Sequence, residues 1–476
     1  MYLLCKLLYV AVFALLSAAP PYLPIYYHDA LGFSSNQIGI VLAIAPFIQS
    51  AACPLWTWLV DQKPQWHGLA MSLTSLLGGI AVMGIMMMGR LVASPSVHID
   101  MSTLVMLTSC MALAFAFFTL PNVSLVDSAV MKILGPNKIL YGQQRLWGSV
   151  SCGLTILIVG QLISMTNDLD MLFYVFGGST ILFAFFALFV RVGERPGDEE
   201  DKLDKENAKL MASTNHGYQS FHQENDTVHL FKAPTTQSFR EEVHDALESF
   251  GHLDLGLTLS TISTVDQTLA HALDQGTGAS MSILCSIPVL TFLSSTLLLG
   301  ISLSMIVNFL FLFQGTDLKI PASWIGWNGP TGGVTELLSF CFAKQLTERF
   351  GVATMVVVAH MATAIRCIGY TLLVPQSMLT NVLALCLQTL HGIGFGLFWA
   401  TAVSEIDGFF PPEQRSMAQG ILGGLHAGLG TGIGALIGGF LYEDFGAFGL
   451  FWTAALLCFL STAIFLIGRL PRFASS

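Results

Sequence analysis

Charge is what this sequence has least of: Asp, Glu, Lys and Arg make up 11% of the chain, against 53% for the apolar types. So few charges cannot cover the surface of a soluble protein of 476 residues, and a mean hydropathy of +0.67 points the same way. The nine cysteines contain no CxxC pair and no histidine at zinc-ligand spacing, which excludes a zinc ribbon or a disulfide scaffold. They read as small buried hydrophobes. A Walker loop, a G-x-S-x-G elbow and an H-E-x-x-H helix are missing as well. An enzyme or an ATP-driven pump therefore has no visible machinery, no cofactor or metal is called for, and a net charge of -10 gives nucleic acid nothing to hold.

What the chain does have is long apolar runs. About 20 apolar residues cross a bilayer, and on that ruler spans fall near 3–27, 37–60, 68–90, 101–130, 146–165 and 171–192. Six more fall near 287–313, 323–346, 352–374, 379–404, 416–442 and 447–469. Leu7 to Ala19 behind Lys6 has the look of a signal peptide, but the run continues through Pro20, Pro21 and Pro24 as a first span. The expectation is an all-α integral membrane protein with twelve transmembrane helices: a bundle over residues 1–192, an acidic disordered insert over 193–285 and a second bundle over 286–476. The insert opens with GERPGDEEDKLDKENAK and stays too polar to order itself, apart from a short helix over 241–256.

Placing the N-terminus in the cytosol puts seventeen of the 20 Lys and Arg on the cytosolic side, leaving Arg90 and Lys319 outside and Arg366 within a span. Both termini and the insert are then cytosolic, in a plasma or organelle membrane, and the Asn225-Asp226-Thr227 sequon stays unglycosylated. The halves also repeat: Asp127 matches Asp407, Arg145 matches Arg415, and Asp61 matches Glu348. Same-order repeats indicate two parallel six-helix bundles with a cavity between them, the major facilitator arrangement.

Charged groups at hydrocarbon depth cost at least ~2.5–3.5 kcal/mol each, so each needs a reason. Glu336, Arg366 and His391 sit near the middle of spans 8, 9 and 10 and share roughly one depth. One reading is a structural ion pair with a bonded histidine; the other is a proton site in which burial favours neutral Glu336 and Arg366 favours its carboxylate. Asp127 ends span 4 and Arg145 opens span 5, followed by Trp147; a planar fork beside an aromatic ring suits a polyol, a carboxylate or a ribose. The plainer reading makes Arg145 a topological anchor and Asp127 a solvated loop residue. Gln49, Asn308 and Gln388 either line a cavity or bond neighbouring helices. The glycines of span 11 suit close helix packing, and His426 among them reads as a satisfied packing residue.

Pro24-Ile25-Tyr26-Tyr27-His28-Asp29, Ile38-Gly39-Ile40, the Tyr141 to Ser149 stretch Tyr-Gly-x-x-Arg-Leu-Trp-Gly-Ser, and Leu390-His391-Gly392 resemble two groups. These are the lactose-permease-like oligosaccharide:proton symporter branch of the major facilitator superfamily and the major-facilitator-associated domain family. The resemblance covers both bundles and implies an alternating-access carrier. It implies substrate contacts for Asp127, Arg145 and His391, to which the residues themselves add Trp147 and Gln388, and proton coupling through Glu336, Arg366 and His391. The sequence departs from the pattern at Gly394, where a second carboxylate is expected, at Gln388 in place of Lys, and at Cys152 in place of Trp. The expected partners are a small polar solute (sugar, glycoside or nucleoside), a proton and the bilayer. A uniporter or organic-anion carrier, and a receptor or scaffold whose insert binds cytosolic proteins, are the rival readings. The charge asymmetry predicts that a cysteine placed at Ser220 reacts with an impermeant reagent only after the membrane is opened; labelling in intact cells contradicts the orientation.

Overall fold

A computed structural model describes residues 2–95, 99–191, 283–411 and 414–470; the insert, with the 241–256 stretch and the sequon, lies outside the described residues. The described residues are helical, with no strand among them. The first half contains α1 (Leu3–Ala18), α2 (Leu23–Asp29), α3 (Ser35–Gln62), α4 (His67–Val92), α5 (Met101–Phe118), α6 (Asn122–Leu134), α7 (Tyr141–Thr166) and α8 (Met171–Leu188). The second contains α9 (Ile287–Leu312), α10 (Ala322–Ile325), α11 (Asn328–Phe350), α12 (Val352–Thr371), α13 (Met378–Gly392), α14 (Phe398–Phe409), α15 (Arg415–Gly423) and α16 (Thr431–Ile467).

Ten helical segments among the described residues are long and apolar enough to cross a membrane. One of them, Met417–Ile467, is broken at Gly446, whose φ of 65° is open to glycine and strained for other residues. The 23-residue α11 carries Glu336, Lys344, Glu348 and Arg349 and is not among the ten. With that break and α11, the chain fits twelve crossings.

Local chemistry sets the helix ends. Ser34 and Gln37 close a capping box at the head of α3, and Asp100 accepts the Ser102 N–H at 3.1 Å at the head of α5. Pro20 and Pro21 separate α1 from α2, so the first span is two helices with a bend. Three π-helical turns interrupt the second half, at Phe313–Asp317, Ile393–Leu397 and Gly424–Gly430.

The two halves meet through glycines at the end of the bundle away from the chain termini. A Cβ on Gly39 of α3 would lie 2.7 Å from the Ala435 carbonyl oxygen and 2.8 Å from the Gly439 Cα. One on Gly160 of α7 would lie 2.5 Å from the Ala322 carbonyl oxygen and 2.8 Å from the Gly326 Cα. Only a residue without a side chain lets two backbones approach this closely. Beside these contacts, Glu443 accepts the Ser35 N–H at 2.6 Å, and Gln161 donates to the Ser323 carbonyl at 3.1 Å. At the termini end the polar contacts Lys132–Asp61, Arg469–Glu405 and Gln419–Asp407 each join helices of one half. The halves are thus clamped together at the far end.

A bulky residue at the clamp forces it apart. Gly39→Leu is expected to cost this closed arrangement about 1–3 kcal/mol. Spin labels at exposed Asn167 and Gln376 should then move apart in electron–electron distance measurements. An unchanged distance distribution contradicts the clamp.

Candidate functional site

Between the halves lies a cavity of about 150 Å³, and Gln49, Asn308, Asn328, Arg366, Gln388 and His391 give it its polar lining. Arg366, at 1% exposure, is the charged residue of that lining. Its Nη2 donates to Gln388 Oε1 at 2.6 Å, its Nη1 meets His391 Nδ1 at 3.1 Å, and its Nε reaches the Tyr370 hydroxyl at 3.4 Å. The network extends through Gln388 Nε2 to the Asn328 carbonyl at 3.4 Å, and Asn328 Nδ2 donates to Gln314 Oε1 at 2.6 Å.

The geometry assigns the state of His391. A guanidinium has donors and no acceptor, so Nδ1 must accept and the proton of the neutral ring sits on Nε2. That Nε2 is buried and has no hydrogen-bond partner among the described residues. His391 therefore carries its proton on a buried Nε2, and Arg366 holds its ring in place on the cavity wall.

Glu336 is fully buried on α11 directly beside this group. A Cβ on Gly392 would lie 2.1 Å from the Glu336 backbone nitrogen, and one on Gly396 2.9 Å from the Ser339 Cβ. These two glycines let the tenth crossing ride on the eighth, which sets Glu336 next to His391. A Cβ at Gly394 would lie 2.3 Å from Thr363 Oγ1, so a larger side chain there requires the Thr363 hydroxyl to move.

The first half holds a separate charged cluster. Arg145 Nη1 bonds Asp127 Oδ2 at 2.5 Å and the Tyr141 hydroxyl at 3.0 Å, and the Tyr9 hydroxyl donates to Asp127 Oδ1 at 2.6 Å. The guanidinium also lies 5.8 Å over the Phe13 ring. Arg145 is buried in the second turn of α7, and Asp127 lies well inside α6, so the picture of a loop residue beside a solvated anchor is corrected to a buried pair. Arg145 Nε and Nη2 have no hydrogen-bond partner among the described residues. The repeat has diverged in the second half, where Asp407 takes the Gln419 amide at 2.9 Å instead.

The sequence-derived residues thus fall into three places. Arg366, Gln388 and His391 come together on the cavity wall, with Glu336 behind them, while Asp127 and Arg145 form their own cluster outside the lining. Trp147 stands half-exposed on the outside, with Lys6 Nζ 5.6 Å from its ring; Ile156 is what α7 gives the cavity. Gln49 and Asn308 line the cavity, and Asn308 also bonds Ser304. His426 is buried with both ring nitrogens lacking a hydrogen-bond partner among the described residues, so it is not a satisfied packing residue. Tyr141 and Tyr370 were legible as neighbours four residues from each arginine. Tyr9 carried no such signal.

Comparison with known proteins settles the family: the model of the MFS_1 like family matches residues 2–453. The chain belongs to this family. Among curated proteins, this family member is similar to a maltose permease of Geobacillus stearothermophilus, 28% identical over 208 residues, covering 44% of this chain and 48% of that one. The match spans about half the length of that relative. Among solved structures, the nucleoside transporter NupG aligns with a TM-score of 0.66 at 16% identity, covering 98% of this chain and 99% of the other. The inward-open xylose transporter XylE from E. coli aligns with a TM-score of 0.59 at 12% identity, covering 99% and 95%. At such identities the likeness is one of fold.

Removing one partner of the Asp127 cluster leaves the others buried and stranded. Asp127→Ala should destabilise the protein by about 3–5 kcal/mol, and Tyr9→Phe by about 1.5–3 kcal/mol, since its hydrogen bond goes to a carboxylate. Thermal unfolding in detergent reads both. Wild-type stability in Tyr9→Phe contradicts the geometry.

Proposed function

We propose that the protein is a secondary transporter that moves a small polar solute across a membrane by alternating access, with both termini cytosolic. The observation that carries this reading is a cavity between the halves whose wall holds Arg366, Gln388 and His391, in a chain whose halves are clamped by close-packed glycines at the end away from the termini. Releasing one end while closing the other is what alternating access requires.

A sugar, glycoside or nucleoside fits the lining. Amides, an imidazole and a guanidinium suit a solute rich in hydroxyl or carbonyl oxygens, and apolar walls such as Pro20, Phe311 and Ile156 suit a ring face. The permease, nucleoside and xylose transporters above act on solutes of that kind by name, which supports the choice. An organic anion is the second reading, favoured because Arg366 is the one charged residue among the lining residues described.

We assign the coupling proton to Glu336. Arg366 holds His391 in its neutral form, and Gly394 supplies no second acid, so the buried carboxyl beside His391 is the group suited to carry charge. Glu336→Gln copies the protonated form. It should abolish accumulation driven by an imposed pH difference while leaving solute counterflow, because counterflow needs no net proton release. Accumulation that persists in Glu336→Gln makes the residue structural and favours uniport.

A further inference from the structure

His426 belongs to no part of the site described so far, yet its environment is unusual. Its ring is fully buried among Phe395, Phe398 and Trp399, with centroids 6.0, 6.1 and 5.3 Å away, and both its nitrogens lack a hydrogen-bond partner among the described residues. The Trp399 Nε1 in the same pocket also lacks one. An imidazole placed only for packing would be served better by a phenyl ring.

The backbone supplies the second observation. His426 lies inside the π-helical turn Gly424–Gly430, where one extra residue is fitted into the helix. Its chain neighbour Ala427, and Thr431 one turn on, line the cavity. A helix advances about 100° per residue. Movement of the extra residue along the turn by one position therefore carries residue 426 to where Ala427 now stands. Gly424 has nothing within 4 Å of a notional Cβ, so the turn has space in which to rearrange.

We propose that His426 is a further imidazole of the transport site, turned from its aromatic pocket on to the cavity wall by migration of this π-bulge, where it bonds a hydroxyl or carbonyl oxygen of the solute. The bonding role rests on the transporter reading; the movement does not.

Diethyl pyrocarbonate acting on the purified full-length protein, read by peptide mass spectrometry, tests both parts. His426 should be modified at a rate within about ten-fold of that of cavity-lining His391. His360, fully buried and bonded to Val356 and Ser461, should react at least about a hundred-fold more slowly, since only local opening exposes it. Gly424→Ala, which stiffens the turn, should slow His426 several-fold and leave His391 unchanged. A His426 as inert as His360, or one indifferent to Gly424→Ala, overturns the movement. Saturating maltose, uridine or xylose should protect both cavity histidines together; protection of His391 alone overturns the bonding role. If none of the three protects either residue, the proposed solute class falls while the rates without solute still decide the movement.

Discussion

A guanidinium buried at hydrocarbon depth has to be bonded by the protein itself, and much of the second half is arranged around meeting that demand for Arg366. Water that would solvate the charge is absent from a bilayer core, so the ring nitrogen of His391, the Gln388 carbonyl oxygen and the Tyr370 hydroxyl take its place. This satisfaction has a chemical consequence. Occupying Nδ1 of His391 fixes the other nitrogen as the protonated one, so the arginine sets the tautomer of the ring on the cavity wall. Arg145 is bonded differently and, among the described residues, only through Nη1, to a carboxylate with its own tyrosine donor and to Tyr141, and neither it nor Asp127 is among the cavity-lining residues.

Close packing is the second constraint, and glycine answers it wherever two backbones must nearly touch. Gly392 and Gly396 seat the tenth crossing on the eighth, while Gly39, Gly160, Gly326 and Gly439 seat one half on the other. The first set is fixed geometry around the charged residues. The second set lies on the surface that the proposed alternating access would part and re-form, and glycine contacts suit such a surface because they bury little side chain and need no repacking. The π-helical turns fall in the same half, two of them on the crossings that carry His391 and His426.

Most of the fold was legible because a bilayer imposes length and polarity on each crossing. The spans expected near 37–60, 68–90 and 171–192 match α3, α4 and α8 to within a few residues. Span 5 was set too short because Tyr-Gly-Gln-Gln-Arg-Leu-Trp is polar enough to read as loop, although Arg145 is in fact buried against Asp127. Depth along the chain brought Arg366 and His391 together correctly, since position along a helix fixes height in the membrane. It could not fix which face a residue takes, and so Trp147 was placed with the solute while it stands outside. Tyr9, contacting Asp127 across 118 positions of sequence, and the aromatic pocket around His426 exist only in three dimensions.

A cavity that carries solute from one side of a membrane to the other should support counterflow of radiolabelled maltose, uridine or xylose into liposomes holding the purified protein. Uptake should saturate for at least one of the three and be lost in Arg366→Ala, where the lining loses the charged residue among those described and His391 loses its anchor. Uptake indistinguishable from that of empty liposomes for every solute, by a protein that is folded and inserted, would rule out carriage of these solutes and leave a receptor or scaffold in its place.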